Sequence, residues 1–423
     1  MSRSRTSIWL SLAALAACHD GGAGTAPTSP TAPSPNEAPQ SVQLGDPLPG
    51  LTDDQRLAFE RGRALFTKRF TPSEGLGPLY NASSCASCHS TPTIGGGSRL
   101  YRNFYVAVVD PGIGPAFQFN LTGLPSVVVP AFGQPLQALF TFQGARALMS
   151  HPFYPVVSGQ RNSIPIFGVG LFEFVSNQTI MNNADPDDAD ADGISGRFNN
   201  DGAGMGRFGL KAQSNNIEFF TRAPLFNQMG ITSNPFLGAA GTVSLAPGMA
   251  PQGTGTPNSP TTDADGVPDP EISHDDLGDL IAFSRFLAPP EPLPFDESAL
   301  RGEQIFAQLG CAKCHMPTLP SSRGPVHAYT DLLLHDMGPA LAEGINFGSP
   351  QASATSPLSN GAEWRTQPLW GVSKFAPYLH DGRAPTLDAA IRAHGGEASA
   401  SAEDYAVLTP IEREDLLSFL RHL

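Results

Sequence analysis

Two short stretches carry the clearest chemistry in this chain: Cys85-Ala86-Ser87-Cys88-His89 and Cys311-Ala312-Lys313-Cys314-His315. Two thiols separated by two residues reach one edge of a porphyrin and add across its vinyl groups. The adjacent imidazole turns beneath the ring to ligate its iron. The expectation is two covalently bound haems c, attached through Cys85, Cys88, Cys311 and Cys314, with His89 and His315 as iron ligands. Two other chemistries use the same thiols. A pair of redox-active dithiols would need no histidine and would follow a strand, which neither motif is expected to do. A zinc ion held by all four cysteines would require the two pairs to meet in space.

The sixth iron ligands decide what two haems can do. A second strong ligand closes the iron for electron transfer, whereas an open position admits a small oxidant. After His89 the chain has no His or Met until Met149 and His151, so the first iron is expected to be open or weakly capped. After His315 come His327, His335, Met337, Tyr378 and His380. Met316 directly follows the proximal histidine and cannot reach the opposite face, which leaves Met337 as the best soft ligand. Hydrogen peroxide would then react at the first iron, and a redox donor protein would feed electrons through the second. If both irons are closed, the chain is an electron carrier without catalysis.

Cleaving a peroxide also needs a group to move a proton between its oxygens. Glu173 is a lone acid in the apolar run Leu171-Phe172-Glu173-Phe174-Val175, and a carboxylate raised by an apolar pocket suits that task. Its structural alternative is an ion pair with an arginine such as Arg161 or Arg207. Asp185, Asp187, Asp188, Asp190 and Asp192 crowd five carboxylates ahead of Gly193. The Asp188-x-Asp190-x-Asp192-Gly193 run resembles the front of an EF-hand loop, but Asn199 stands where the bidentate Glu belongs. Either a calcium loop of another kind, built from Asp185, Asp188, Asp190 and Asp192, or a solvated acidic turn accounts for it. Asp263-Ala264-Asp265-Gly266 reads as a plain turn.

The elements that position these groups are repeated. Thr52-Asp53-Asp54-Gln55 is a capping box that opens a helix through Arg61-Gly62-Arg63-Ala64-Leu65-Phe66. Arg301-Gly302-Glu303-Gln304-Ile305-Phe306 repeats that signature before the second motif, and each half closes with a similar helix, Asp276 to Leu287 and Asp415 to Leu423. The second closing helix has its own capping box, Thr409-Pro410-Ile411-Glu412. With 44 Gly and 41 Pro in 423 residues, long regular elements are expected to be few. The expected fold is mainly α and loop-rich, with two cytochrome c-like domains at 48–290 and 291–423, divided at the prolines from Pro289 to Pro294. Twenty-five basic against 39 acidic residues give a net charge of −14 without a basic cluster, which excludes nucleic acid as a partner.

The N-terminus addresses the protein. Arg3 and Arg5 precede the apolar run Ile8–Ala17, the plan of a secretory signal, expected to be removed as residues 1–17. Leu15-Ala16-Ala17-Cys18 resembles a lipobox, which makes Cys18 the expected lipid attachment point. Residues 18–47, rich in Pro, Ser, Thr, Ala and Gly, read as a disordered tether. The expected product is a periplasmic lipoprotein anchored to a membrane.

Several whole stretches resemble one family. They are Ser84 to His89 with Gly95-Gly96-Gly97; Gly170-Leu171-Phe172-Glu173; Ala184-Asp185-Pro186 through Arg197; Gly206-Arg207-Phe208-Gly209; Met229-Gly230-Ile231-Thr232-Ser233; and Tyr329-Thr330-Asp331 through Pro339. Together these resemble the bacterial di-haem oxidoreductases, described as peroxidases and also as thiol oxidoreductases, from about residue 50 to 423. Arg365-Thr366 and Pro377-Tyr378-Leu379-His380-Asp381-Gly382-Arg383 are more distantly similar to di-haem cytochrome c peroxidases, many of which carry Met or Phe where Leu379 stands. The resemblance implies a mostly helical pair of cytochrome c domains, with a peroxidatic N-terminal haem and an electron-relaying C-terminal haem.

Overall fold

The computed structural model describes residues 42–77, 80, 82–99, 104–109, 156–200, 204–233, 236–237, 243–244, 266–343, 345, 350–354 and 361–423. The expected signal segment, Cys18, most of the tether, Met149, His151, Asp263 and Asp265 lie outside the described residues. Val42–Leu423 forms one compact unit. It is helix-rich and loop-rich, with few strands. In chain order the elements are α1 (Asp53–Thr67), β1 (Phe104–Val109), β2 (Val156–Arg161), α2 (Asn177–Asn183), α3 (Ile217–Met229), β3 (Phe236–Leu237), β4 (Val243–Ser244), α4 (His274–Phe286), α5 (Glu297–Gln308), β5 (Leu334–Asp336), β6 (Glu363–Arg365), α6 (Leu387–Arg392), α7 (Ser399–Val407) and α8 (Pro410–His422). The strands form three antiparallel pairs, β1 with β2 (Phe104 opposite Arg161), β3 with β4, and β5 with β6 (His335 opposite Trp364).

Both expected capping boxes are present. Thr52 accepts from the Gln55 N–H and Gln55 reaches back to the Thr52 N–H; Thr409 and Glu412 do the same, with Pro410 opening α8. These caps satisfy donors that the first helical turn would otherwise leave unpaired.

The repeated helices cross in pairs, α1 on α4 and α5 on α8. At each crossing a glycine lets two backbones touch. A Cβ on Gly62 would lie 1.9 Å from the Asp279 carbonyl oxygen, and one on Gly302 would lie 2.0 Å from that of Asp415. The residue before each glycine bolts the same contact. Arg61 donates to both Asp279 carboxylate oxygens at 2.6 and 2.7 Å, and Arg301 to both of Asp415 at 2.8 Å. One turn further on, Phe66 meets Phe283 at 4.8 Å between ring centroids, and Phe306 meets Phe419 at 5.2 Å.

The core does not divide where the sequence does. One apolar cluster centres on Phe59, Phe66 and Phe283 but also takes in Leu319, Val326, Leu332 and Trp370 from the second half. Trp370 stacks on Phe172 at 5.4 Å, and Phe375 stacks on Phe167 at 5.5 Å. A smaller cluster joins Phe306, Tyr405, Leu416 and Phe419. The tether is also shorter than expected. The Leu48 N–H donates to the Phe286 carbonyl, the Ala288 N–H to that of Asp46, and the Val42 N–H to the Glu291 carboxylate, so residues 42–47 are pinned to the segment after α4.

Gly302→Ala is expected to destabilise the protein by about 1–3 kcal/mol, because its methyl group would have to displace backbone. Gly278→Ala, at an exposed α4 position with open space around it, is expected to stabilise by up to about 1 kcal/mol through helix propensity. Urea unfolding midpoints of the two variants check both signs.

Candidate functional site

Each Cys-x-x-Cys-His folds as a tight 3-10 turn, Cys85–Ser87 and Cys311–Lys313. The His89 backbone N–H donates to the Cys85 carbonyl at 3.0 Å and that of His315 to the Cys311 carbonyl at 2.9 Å, closing each turn at its histidine. Phe66 on α1 lies 6.1 Å from the His89 ring, and Phe306 on α5 lies 6.5 Å from that of His315. The helix that crosses its partner at a glycine thus also seats the histidine.

The two imidazoles are held alike. Nδ1 of His89 is 3.1 Å from the Gly96 carbonyl oxygen, and Nδ1 of His315 is 3.0 Å from that of Tyr329. With Nδ1–H donated to a carbonyl, the Nε2 lone pair is the one left for a metal. Burial lowers both pKa values, that of His315 to about 4, so both rings are neutral. Burial pushes the Cys85 thiol up to about 12 and the Cys311 thiol to about 11, so neither is a thiolate at neutral pH. The four described cysteines form no disulfide. Among the described residues, the acidic trio Asp185, Asp188 and Asp190 is the sole group of three or more carboxylate, imidazole or thiol ligands close enough to share an ion. The four thiols therefore do not converge as a zinc site would require.

Each motif opens on its own cavity. The first, of about 230 Å³, is lined by Cys85, Cys88, His89 and largely apolar side chains, with Arg161, Asn162, Gln213, Thr221 and Gln228 as its longer polar groups. The second, of about 300 Å³, holds Cys311, Cys314 and His315 together with His335, Met337, Tyr378, His380 and His394. Asn162, Ser163, Ile164 and Leu210 line both. Two apolar cavities, each with a neutral imidazole and paired thiols, suit a flat iron macrocycle that bonds to all three side chains.

The donor supply differs between the cavities. Among the described lining residues of the first, Met229 is the one sulfur or imidazole donor beyond the motif, and it is packed in the core. In the second, His335 is not available to a metal. Its Nε2–H donates to Asp331 at 2.8 Å and its Nδ1–H to Glu397 at 2.7 Å. Burial opposes its charge, but the Asp331 carboxylate outweighs that and holds the imidazole protonated well above its usual range. A doubly protonated ring has no lone pair, so His335 leaves the set of expected ligands. His327 lies outside the cavity lining, exposed and bonded to the Thr318 hydroxyl. Tyr378 and His380 are turned inward from either side of Leu379, whose φ of +70° is unusual for a side chain of that size. His380 stacks on Trp364 at 3.9 Å.

His394 is the residue that sequence reasoning overlooked. It follows α6, lines the second cavity, and holds its Nδ1 2.7 Å from the Ala390 carbonyl oxygen, the same arrangement as in His89 and His315. Burial lowers its pKa, and after burial its proximity is the next influence that lowers that of His315. Its signal in the sequence is faint: a histidine just after a short helix, beyond the Tyr378 to Arg383 loop.

Glu173 lies apart from both cavity linings. Arg285, on the last turn of α4, donates to both of its oxygens at 2.6 and 3.2 Å, and the Ile217 N–H donates at 3.0 Å. Arg207, one of the expected partners, instead donates to the carbonyls of Phe172 and Val175 around the same turn, and Arg161 pairs with Glu343. In the acidic loop, oxygens of Asp185, Asp188 and Asp190 lie within 4.8 Å of one another, but Asp192 turns away to Lys313 at 3.0 Å.

The family described as "Di-haem oxidoreductase, putative peroxidase" matches residues 141–423, two thirds of the chain, and this chain belongs to it. Haem is accordingly its cofactor. No curated protein matches the chain. Among solved structures it is similar to the hydrazine synthase of Kuenenia stuttgartiensis, at 15% identity and a TM-score of 0.39, over 94% of this chain and 100% of that one. It is similar also to a MauG-like protein associated with microbial copper homeostasis, at 17% identity and a TM-score of 0.40, over 92% and 94% of the two chains.

Glu173→Gln is expected to weaken the link between the 169–174 turn and α4, lowering stability by about 1 kcal/mol. It is expected to leave the visible spectrum of the cofactor-loaded protein unchanged, because Glu173 touches neither cavity. Thermal melting and absorption spectra check the two halves of that expectation.

Proposed function

We propose that the chain is an exported c-type di-haem oxidoreductase with peroxidase-like activity. Cys85, Cys88, Cys311 and Cys314 attach the two haems, and His89 and His315 ligate their irons. The two attachment motifs sit in cytochrome c-like domains, 48–290 and 291–423, each built on one helix crossing. Electrons from a redox donor protein enter at the second site and reach a small oxidant such as hydrogen peroxide at the first. The observation that carries this reading is the asymmetry of the two cavities: one motif histidine faces a lining poor in further donors, the other a lining that adds His394 and Met337.

Bound haem supplies one-electron chemistry and, where its sixth position is free, a place for an oxidant. The chain's own residues do the rest. Gly96 and Tyr329 carbonyls fix the histidine tautomers. His394, oriented by Ala390, would hold the second haem together with His315, with Met337 as the soft alternative. Mainly apolar walls surround both cavities. No carboxylate lines the first cavity among the described residues, so Glu173 is not carried into the proposal as a proton shuttle. That same absence favours a second reading, a di-haem electron carrier without catalysis.

Localisation and calcium belong to the same proposal. Cys18 holds the lipid that anchors the protein to a membrane, facing the periplasm, and among the described residues no helix is long and apolar enough to cross one. Asp185, Asp188 and Asp190 are the calcium ligands, with Asp192 released to Lys313.

Protein matured in a cytochrome c-competent periplasm is expected to carry two covalent haems by mass spectrometry, and Cys88→Ala or Cys314→Ala each to disturb one. His394→Ala is expected to convert the second haem from low to high spin, while Met337→Leu leaves it low spin; the reverse pattern would assign Met337. Wild type is expected to bind cyanide at one haem and to turn over peroxide with a reduced donor. A protein that stays fully low-spin, binds no added ligand and turns over no peroxide is the carrier. Cys18→Ser is expected to move the protein from the membrane to the soluble fraction.

A further inference from the structure

A buried ionic cluster lies between the two cavities, and the reading above gives it no role. Lys211 is buried, and its ammonium donates to the carbonyls of Glu363 at 2.5 Å and Gly361 at 3.1 Å. Its Nζ stands 3.5 Å from the centroid of the Trp364 ring. His380 stacks on that ring at 3.9 Å and 14°, so the two must occupy opposite faces. Trp364 and His380 line the second cavity. Arg161, which lines the first, is paired with Glu343, and the Glu343 carboxylate is 3.8 Å from the Lys211 ammonium.

We propose that Lys211 is a positioning residue that couples proton uptake to electron uptake at the second site. It rests on the reading that a haem occupies that cavity. When a one-electron donor reduces the cofactor, the site gains one negative charge in a region of low dielectric, where charges interact far more strongly than in water. One proton from solvent then binds Lys211 Nζ, so one electron and one proton enter together. The stack of Lys211, Trp364 and His380 is the contact through which the ammonium and the cavity feel each other.

The neighbouring charges leave Lys211 as the group that responds. Glu343 is taken up by its buried pair with Arg161, and Glu363 by its buried pair with Arg197. Asp336 contributes from the adjoining β5 strand. Burial lowers His380 to about 4, which keeps it neutral near pH 7. Burial is also the largest influence on Lys211, with Glu343 raising and Arg161 lowering it; the result, about 7, puts its titration near neutrality. A lysine bound to two carbonyls at the protein surface would remain charged in both redox states and couple nothing.

The sign follows. Reduction favours the ammonium, so the potential of the second haem is expected to fall as pH rises, from about pH 7 upward. The limiting slope for one proton per electron is about 59 mV per tenfold change in proton activity. Below that range Lys211 is charged in both redox states and the potential is flat.

The test is spectroelectrochemical titration of the haem-loaded wild type, Lys211→Met and Lys211→Arg across neutral and alkaline pH. Wild type is expected to show the slope at the second haem. Both variants are expected to lose it, with Lys211→Arg held near the low-pH potential and Lys211→Met near the high-pH one. A flat wild type overturns the proposal. So does a slope that persists in either variant, since the haem's own carboxylates would then carry it. If Lys211→Met does not fold, Lys211→Arg and the wild type decide alone. Protein carrying two haems but no slope sinks this inference and spares the proposed function, whereas protein carrying no haem sinks both.

Discussion

Contact between two backbones, made possible by a missing side chain, is the constraint on which this structure turns. Gly62 and Gly302 let α1 meet α4 and α5 meet α8 with nothing between them. Everything that positions the chemistry hangs from those crossings. The next turn of each helix carries Phe66 or Phe306, which packs on the facing helix and stands beside the motif histidine. Moving the crossing apart by the width of a methyl group would shift the aromatic ring and then the imidazole. The Arg61–Asp279 and Arg301–Asp415 pairs add direction more than energy, because both arginines are largely exposed and such pairs contribute little in water.

Near-neighbour relations were legible in the sequence, and distant ones were not. Capping boxes at Thr52 and Thr409 and the Cys-x-x-Cys-His turns depend on residues within a few positions of one another, and each forms as its local chemistry requires. Arg285 is 112 residues from Glu173, and nothing in the Leu171–Val175 run indicates that a guanidinium will cover it. His335 stood among the possible ligands because it follows His315 in the chain. One carboxylate partner, Asp331, stands four residues before it, but the other, Glu397, comes from 62 residues further on, and together they turn it into a cation. His394 shows the converse error. Its orientation in the cavity wall rests on one hydrogen bond to Ala390, which any helical histidine can make and which matters only because the cavity is there.

Burying charge is costly unless the charges satisfy one another. Arg161 with Glu343, Arg197 with Glu363, and Lys211 against Trp364 place several ions in the wall near both cavities. An apolar wall of the same volume would have been no less stable on general grounds. Their presence makes this part of the wall responsive to electrostatic change on either side, while the Asn162–Ile164 strip common to both cavities keeps the two sites adjacent.

Leu319, Val326, Leu332 and Trp370 complete an apolar core begun by Phe59, Phe66 and Phe172. During synthesis the ribosome makes these groups far apart in time, so the first half cannot close until most of the second has been made. Until then the cavity beside Cys85 and Cys88 lacks part of the core it rests on. A fold in which residues of the second half finish the first-made core thus sets a schedule: the first core cannot be completed before Trp370 has been made.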